Sequence, residues 1–413
     1  MCIRDRHKTA VIFGTAFCLG VVLDAFQTII LPRRPTGRFR ITRLFYLLTW
    51  RPWVWISELS KKSKIREQSF SIYGPVSLLL LLVLWAVLLV VGFALVYFGI
   101  GSPFTEPLSA NPHLPAWLVA LRMDLYFSGT TLFTLGLGDV QPHSYLVRFV
   151  VVTECGTGLG FVALVIGYVP VLYQAFSKRE VSVAMLDGRA GSPPTATELL
   201  RRHGFEGGQV ELIALLAEWE RWSAEILESH ISYPILCYYR SQHDNQSWLS
   251  ALVAILDTCA LLITTIDGPT VRQAQLTFAV GRHALIDLGH VFHLERWPDG
   301  AKIEDPERLP AELFNQLCDA LGEMQMRLCG DPATMRRLTA IRQLYEPHAE
   351  ALAQYLRMPL PRWVAEPKAV DPWKRVEDLR RSVEARSAEL LRADLHVSGH
   401  ATSLNLHDEE HGF

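Results

Sequence analysis

The sequence lacks the cysteine spacings and the excess of charge that identify several common classes of protein. Its seven cysteines are scattered along the chain without a Cys-x-x-Cys pair. This argues against a zinc ribbon and against a disulfide framework, and we expect reduced thiols. The formal net charge of the 413 residues is −2, so nothing indicates a nucleic-acid partner. No strand-rich βαβ pattern is present, and no nucleophile, base and acid are grouped. We therefore expect neither an enzyme nor a bound cofactor or metal.

What the sequence does have is long hydrophobic runs, all of them in its N-terminal part. Val76 to Ile100 is 25 residues without a charge, which is long enough to cross a bilayer. Tyr145 to Phe176 is a second long run, interrupted only by Arg148 near its start and by Glu154. Residues 9–31 form a further run of about one membrane width. A cleaved signal peptide is the alternative for 9–31, but no small-residue cleavage site precedes the basic stretch that follows, so we favour a transmembrane helix.

The loop at 33–73 sets the orientation of these spans, because it carries ten basic and two acidic residues. The positive-inside bias places this loop in the cytoplasm, so residues after 176 are cytoplasmic as well. Aromatic and leucine side chains alternate with arginines in the loop. They predict a segment on the inner leaflet, broken or restarted at Pro52, although packing against neighbouring helices explains them equally well. Asp24 is expected to pair with Arg33 and Arg34, since acids within a membrane need a partner.

The stretch between the runs 76–100 and 145–176 has the composition of a pore. Glycines at alternate positions permit backbone angles closed to other residues. Successive carbonyls can then point the same way, and rings of carbonyl oxygens can replace the hydration shell of K⁺. A short segment from Pro115, too brief to span, precedes this stretch as a re-entrant half-helix. The residues of the predicted filter are Thr134, Leu135, Gly136, Leu137, Gly138 and Asp139.

These six residues resemble the selectivity filter of the potassium-channel pore family, usually Thr-Val-Gly-Tyr-Gly-Asp, with Leu135 for Val and Leu137 for Tyr. The resemblance covers 76–176. It implies a homotetramer, since filters of this family use four pore loops and this chain has one. It also implies that Asp139 lies at the outer mouth and accepts a hydrogen bond from Tyr126. Leu137 removes an aromatic side chain that braces the filter in the family. The residues assigned to filter support are Tyr126, Thr130 and Glu154.

The run 145–176 contains one acid, several glycines and a proline. Gly-Thr-Gly-Leu-Gly would indicate a dinucleotide loop only between a strand and an amphipathic helix, so we discard that interpretation inside an apolar span. In a pore-lining helix such residues mark places where the helix bends or approaches a neighbour closely. The acid is predicted to form a hydrogen bond to the back of the filter or pore helix, with snorkelling at the outer surface as the alternative. The predicted gating hinge comprises Gly156, Gly158, Gly160, Gly167 and Pro170.

The rest of the chain has an ordinary soluble composition. Residues 177–197 are predicted to be a linker, 198–393 an all-helical cytoplasmic domain and 394–413 a disordered polar tail. Thr195 and Glu198 fit a capping box. Trp248 to Ile266 is apolar, but its central acid favours a buried helix over a fourth span. A cytoplasmic ligand is an open alternative to satisfied core and capping groups at two polar clusters. These are His230, Arg240, His243 and Asp244, and His283, Asp287 and His290.

The expected fold is an all-α membrane protein of the cell membrane. It has three transmembrane helices, one re-entrant pore helix with a filter loop, and an all-helical cytoplasmic domain. The expected function is passive, potassium-selective conduction through a tetrameric filter, with K⁺ as permeant ion and the lipid bilayer as surroundings. Two alternatives stay open. Leu137 motivates a weakly selective cation channel, and the helical domain motivates a membrane sensor or scaffold with a silent pore.

Overall fold

The computed structural model describes residues 3–31, 40–105, 115–204, 207–241, 246–265, 268–294, 308–323, 332–365 and 383–387. Regular structure there is almost entirely helical. The helices are α1 Ile3–Ile29, α2 Ile41–Glu58, α3 Ser63–Ile100, α4 Ala116–Leu132, α5 Tyr145–Ala190, α6 Ala196–Arg202, α7 Gly208–Ser232, α8 Trp248–Thr265, α9 Pro269–Val291, α10 Ala311–Glu323, α11 Pro332–Arg342 and α12 Glu346–Leu356. A 3₁₀ turn spans Pro234–Tyr238, and strands β1 Phe104–Thr105 and β2 Gln141–Pro142 form a short antiparallel pair.

Four of the described helices, α1, α3, α5 and α8, are long and apolar enough to cross a membrane. In α8, however, 89% of the most apolar window is buried inside the protein. It is therefore the centre of the helical domain, as the sequence predicts, and not a fourth span. α4 has 17 residues, fewer than a spanning helix requires. The membrane part consists of α1, α3 and α5 around the half-helix α4.

Close approach of backbones holds α1 against α3. A Cβ built at Gly14 would lie 2.8 Å from the carbonyl oxygen of Gly92, and a Cβ at Gly92 would collide with the Sγ of Cys18. Lipid tails are as apolar as leucine, so helices in a membrane gain from packing of this kind more than from burial itself. These two glycines were not singled out from the sequence, because glycine is common in transmembrane helices.

The segment predicted to break at Pro52 is the single helix α2. The missing N–H of Pro52 removes only the bond to the carbonyl of Leu48, and the rest of the helix is intact. One face of α2 is buried, with Trp50 4% exposed. The opposite face exposes Leu48 and Trp55 at 64% and 66%. Packing against neighbouring helices is thus confirmed for one face of α2. A position on the inner leaflet stays a prediction, for which the exposed apolar face is available.

The stretch predicted as a linker, 177–197, is helical as far as Ala190, because α5 runs for 46 residues from Tyr145. The prediction of a linker is thus wrong for 177–190. Leu186 is 1% exposed within the domain core, and Gln246 donates to Asp187 at 2.6 Å. The Gly- and Pro-rich composition marks only the end of the helix at Gly191. Thr195 then caps α6 by accepting from the Glu198 N–H, as predicted.

The helical domain packs around α8 and includes residues that precede the pore in sequence. Trp50, Phe70 and Tyr73 from α2 and the start of α3 belong to the same core as Trp248 and Tyr345. The indole N–H of Trp50 donates to the carbonyl of Tyr355 at 3.0 Å. The domain is therefore docked on α2 and on the N-terminal end of α3. The tail predicted at 394–413 lies outside the described residues.

Two further expectations concern Asp24 and the cysteines. Asp24 is bound by the hydroxyl of Thr42 at 2.6 Å and the indole N–H of Trp85 at 3.0 Å, with Arg40 as its ion-pair partner at 3.6 Å. Arg33 and Arg34, the predicted partners, lie outside the described residues. Four cysteines are free thiols, whereas Cys318 is disulfide-bonded, contrary to the expectation of reduced thiols throughout.

Candidate functional site

The site begins where the half-helix α4 ends inside the membrane part. α4 stops at Leu132, and the chain continues without regular structure from Thr134 to Val140. The N–H of Thr134 donates to the carbonyl of Thr131 at 3.0 Å, and that of Leu135 to the carbonyl of Thr130 at 2.8 Å. The carbonyl of Thr130 thus supports the first residues of the predicted filter. Its hydroxyl donates to the carbonyl of Phe127 within α4.

The backbone alternates in handedness along the predicted filter. Thr134, Gly136 and Gly138 have φ angles of 56°, 55° and 76°, whereas Leu135 and Leu137 are not left-handed. Alternation of this kind turns successive carbonyls toward the same side of the chain, as the glycine spacing predicts. A β-branched residue at positive φ is uncommon and strained, so Thr134 is held there by its surroundings. This backbone pattern is compatible with the predicted row of carbonyl oxygens.

The filter residues lie at the surface of the single chain. All six from Thr134 to Asp139 are exposed, with Leu135 61% and Leu137 59% accessible. Leu137 consequently does not brace the filter from behind within its own chain. Phe133, which precedes the predicted filter, is also exposed, at 54%. This side of the molecule has the character of an interface.

A hydrogen bond ties the outer end of the filter to the pore helix. The hydroxyl of Tyr126 donates to Oδ2 of Asp139 at 2.7 Å, as the resemblance implies. The second carboxylate oxygen of Asp139 accepts from the N–H of Val140 at 3.1 Å. Asp139 therefore ties the end of the predicted filter to α4 and also binds the residue that follows it. Hydrogen bonds to a carboxylate are the stronger kind, which suits a loop without secondary structure.

Glu154 joins three helices behind the filter. Its side chain is completely buried and accepts hydrogen bonds from Ser128 of the pore helix and from Tyr97 of α3, the latter at 2.6 Å. The predicted bond from this acid to the pore helix is confirmed, and the snorkelling alternative is excluded. Tyr97 was missed, since a tyrosine in an apolar run gives no sign of what its hydroxyl contacts.

A second buried acid, Asp124, was also missed. It lies within α4, is 0% exposed, and accepts from the hydroxyl of Ser102 at 2.7 Å. Ser102 follows the end of α3 in a left-handed conformation with φ of 49°. The contact therefore anchors the outer end of α3 to the pore helix. The only signal in the sequence was an acid within the short apolar segment.

The predicted hinge residues do not share one environment. A Cβ at Gly158 would overlap the carbonyl oxygen of Leu132, so α5 touches the end of the pore helix there. Gly156, Gly160 and Gly167 have no atom near the position of a Cβ, and Pro170 lies inside a continuous helix. Gly158 is thus a packing residue. Bending at the other four positions stays a prediction.

The polar cluster predicted in the helical domain is divided between two places. His230 contacts Arg179 of α5, whose guanidinium lies 3.2 Å from Nε2. Arg240 instead donates to the carbonyls of Leu356 and Arg357 at 2.7 and 2.8 Å. His243 and Asp244 lie outside the described residues. The two described members are therefore structural contacts in different parts of the domain.

Arg179 is the principal polar contact between α5 and the domain. It is 2% exposed and also donates to the carbonyls of Leu236 and Tyr239, each at 2.9 Å. A guanidinium cannot accept, so Nε2 of His230 is the acceptor and its proton is on Nδ1. Burial, together with the charge of Arg179, lowers the pKa of His230 well below its usual 6.5. His230 is held neutral.

The second predicted ligand cluster does come together on one face of α9. His283 lies 3.4 Å from Asp287, and His290 lies 3.7 Å from it. Within the described part of the chain, no group of three or more acidic, histidine or cysteine side chains has the geometry of a metal site. The cluster is accounted for as two contacts between histidines and a largely buried carboxylate.

The fold and this site define a membrane protein with an ion-channel pore module. Residues 80–174 match the family model described as "Ion channel", so this segment is a pore module of the two-transmembrane ion-channel type. The match begins inside α3, includes α4 and the filter, and ends within α5.

One curated relative extends the comparison beyond the pore. The "Uncharacterized membrane protein YdjJ" of Bacillus subtilis (strain 168) is 29% identical over 209 residues, which is 50% of this chain and 57% of that protein. The chain thus spans little more than half the length of this relative. No solved structure matches the chain.

Proposed function

We propose that the protein is a potassium-selective channel whose filter is completed by four copies of the chain. The observation that carries the proposal is the alternation of handedness at Thr134, Gly136 and Gly138 within a pore module. Carbonyls of residues 134 to 138 would replace the water around K⁺, with adjacent ions displacing one another during conduction. K⁺ is the permeant ion in this proposal, which includes neither a catalytic step nor a cofactor.

The exposed surface supports assembly around the filter. Only 11% of the most apolar window of α5 is buried within the single chain, and the filter residues are exposed beside it. A single loop cannot form a ring of oxygens, whereas a cyclic arrangement of four loops can. The C-terminal end of α4, where the carbonyls carry the negative end of the helix dipole, would then point toward the pore axis. Their partial negative charge favours a cation there.

The proposed location is the cell membrane, with the helical domain in the cytoplasm. The basic loop 33–73 supports this orientation, because ten of its residues are basic and two acidic. The same orientation puts Asp139 and Tyr126 at the outer mouth. It also puts the C-terminal part of α5 and the whole domain on the inner side.

A weakly selective cation channel is the second candidate, and Leu137 favours it. A filter without an aromatic brace has fewer contacts that fix the spacing of its oxygens, and its discrimination between ions depends on that spacing or on the carbonyl field. In the third interpretation, a sensor or scaffold, the pore would carry no current at all. Measurements of ion flux separate the three.

The test is K⁺ flux into liposomes containing the purified protein, compared with a Gly136→Ala variant. Gly136 is left-handed with open space around it, so the substitution strains the backbone rather than crowding a neighbour. We expect the variant to lose flux. Gly129→Ala is the matched control, because Gly129 is helical and has no atom near a Cβ position. Unchanged flux and selectivity in Gly136→Ala would remove the filter assignment.

A further inference from the structure

A cavity of about 310 Å³ lies where the membrane helices meet the helical domain. Leu81 and Tyr168 contribute to its wall from α3 and α5, and Phe292 and Tyr355 from the domain. Ligand sites in proteins have volumes of about 300–1,000 Å³ and mostly apolar walls with a few polar groups. The cavity is therefore large enough for a small headgroup and the first part of an acyl chain.

The ionisable side chains that line this cavity, apart from its tyrosines, are all basic. Arg40, Arg43, His290 and His293 line it, and among the lining residues that the structure describes there is no aspartate or glutamate. Arg40 is already paired with Asp24 at 3.6 Å and donates to Thr28. Arg43 is exposed and, within the described residues, has neither an ion pair nor a side-chain hydrogen bond. One positive charge at the cavity is therefore uncompensated.

The position of the cavity indicates where its occupant comes from. It adjoins the cytoplasm-side end of α1 at Gln27 and Thr28, next to the helix α2, whose outer face is apolar. In the proposed orientation this is the level of the inner leaflet, where anionic lipids accumulate and attract basic residues. A free phosphate ion would leave the apolar wall unused. A zwitterionic lipid would bring its own cation, together with its phosphate, next to the two arginines of the lining.

We propose that this cavity binds an anionic phospholipid, with the phosphate on Arg43 and an acyl chain along the wall formed by Leu81 and Tyr168. The bound lipid would touch α2 and α3 on one side and α9 and α12 on the other. It would therefore join the membrane part to the helical domain. The inference rests on the proposed orientation but not on conduction, because binding is measured without current.

The experiment is a lipid titration of the full-length protein in detergent, followed by native mass spectrometry. The probes are dioleoyl phosphatidylglycerol, dioleoyl phosphatidylcholine and inorganic phosphate. We expect phosphatidylglycerol to bind about tenfold more tightly than phosphatidylcholine, and Arg43→Gln to lose about that factor, as expected for one hydrogen bond to a charged group. Arg51→Gln is the matched control, since Arg51 is exposed on the same helix and does not line the cavity.

A second variant keeps the proposal testable if Arg43→Gln does not fold. Leu47→Glu leaves Arg43 in place and adds a negative charge to the lining at a residue that is 41% exposed. It should weaken phosphatidylglycerol binding as Arg43→Gln does. Equal binding of the two lipids, displacement of phosphatidylglycerol by inorganic phosphate, or wild-type affinity in either variant would each overturn the proposal.

Discussion

At the residue scale, the tightest contact of the pore is made by Gly158. A methyl group there would overlap the carbonyl oxygen of Leu132, and because that atom belongs to the backbone it cannot rotate away. We expect Gly158→Ala to separate α5 from the pore helix and to cost about 1–3 kcal/mol, as overpacking does. The measurement is the thermal unfolding of the purified protein, together with its K⁺ flux.

Gly160→Ala is the control for this contact. Gly160 lies on the same helix, and a Cβ there has no neighbour within the chain. Alanine is the better helix former by about 1 kcal/mol, so this variant should be at least as stable as the wild type. If Gly158→Ala and Gly160→Ala unfold alike, the close approach of α5 to Leu132 is not important for stability.

His230 makes stability depend on pH. Its pKa is lowered in the folded protein, so below about pH 6.5 the unfolded chain binds a proton that the folded chain does not. The contribution of the neutral imidazole is complete above pH 6.5 and is lost as the pH falls, by up to about 1.4 kcal/mol per pH unit. This loss is measured by comparing the unfolding of the wild type with that of His230→Gln between pH 8 and pH 5.

The glutamine variant keeps an acceptor for Arg179 without a group that titrates. We expect its melting temperature to fall less than that of the wild type on acidification. If the melting temperatures of the two proteins fall in parallel on acidification, His230 is not the source of the pH dependence of stability. The same pKa argues against His230 as a sensor of pH between 6 and 7, because it is already neutral throughout that range.

At the scale of elements, α2 connects the helical domain to the membrane part. Trp50 lies 4.7 Å from the ring of Tyr73 and 5.0 Å from that of Tyr238. We expect Trp50→Ala to destabilise the protein by about 3–5 kcal/mol, as truncation of a buried tryptophan does. Thermal unfolding measures this loss of stability. Limited proteolysis should in addition cleave the variant between the membrane part and the domain.

Trp55→Ala is the matched control on the same helix. Trp55 is 66% exposed on the opposite face, so its loss should leave the free energy of unfolding nearly unchanged. If both tryptophan variants are equally stable, the domain is not held by the buried face of α2.

Elements of the pore were predictable from the sequence because several independent patterns agree there. Two long apolar runs, a short segment and alternate glycines all have direct physical meaning in a bilayer. The contact from Tyr126 to Asp139 was implied by the resemblance to the potassium-channel family, and that from Glu154 to the pore helix by an acid well inside an apolar run. Ser128 and Tyr97 gave no comparable signal, since a hydroxyl in an apolar run can serve many partners.

Outside the pore, local composition was a poorer guide than tertiary packing. Gly188 and Asp187 suggested a loop, yet the domain core buries Leu186 and keeps α5 helical. Tertiary burial overrides such weak local preferences. Pro52 suggested a break, but one lost hydrogen bond does not end α2 when its buried face is packed. Asp24 accepts hydrogen bonds from Thr42 and Trp85, which only the packing of α1 against α2 and α3 brings close to it.

At the scale of the whole molecule, α5 joins the pore directly to the domain. The helix is continuous from Tyr145 to Ala190, and Arg179 fixes its C-terminal half to the turn before α8. A displacement of the domain would therefore move the pore-lining helix without a flexible linker between them. Coupling of this kind also requires two conformations of α5 whose relative stability depends both on the pore and on the helical domain. Gly156, Gly160, Gly167 and Pro170 are the positions at which such states would differ.

The central claim concerns selectivity, and the most direct measurement is the reversal potential with K⁺ on one side of a planar bilayer and Na⁺ on the other. The purified full-length protein should show a reversal potential displaced toward the equilibrium potential of K⁺. Leu137→Tyr should increase that displacement if the missing aromatic brace loosens the filter. A measurable current that reverses at zero potential would contradict a potassium-selective filter at Thr134 to Asp139.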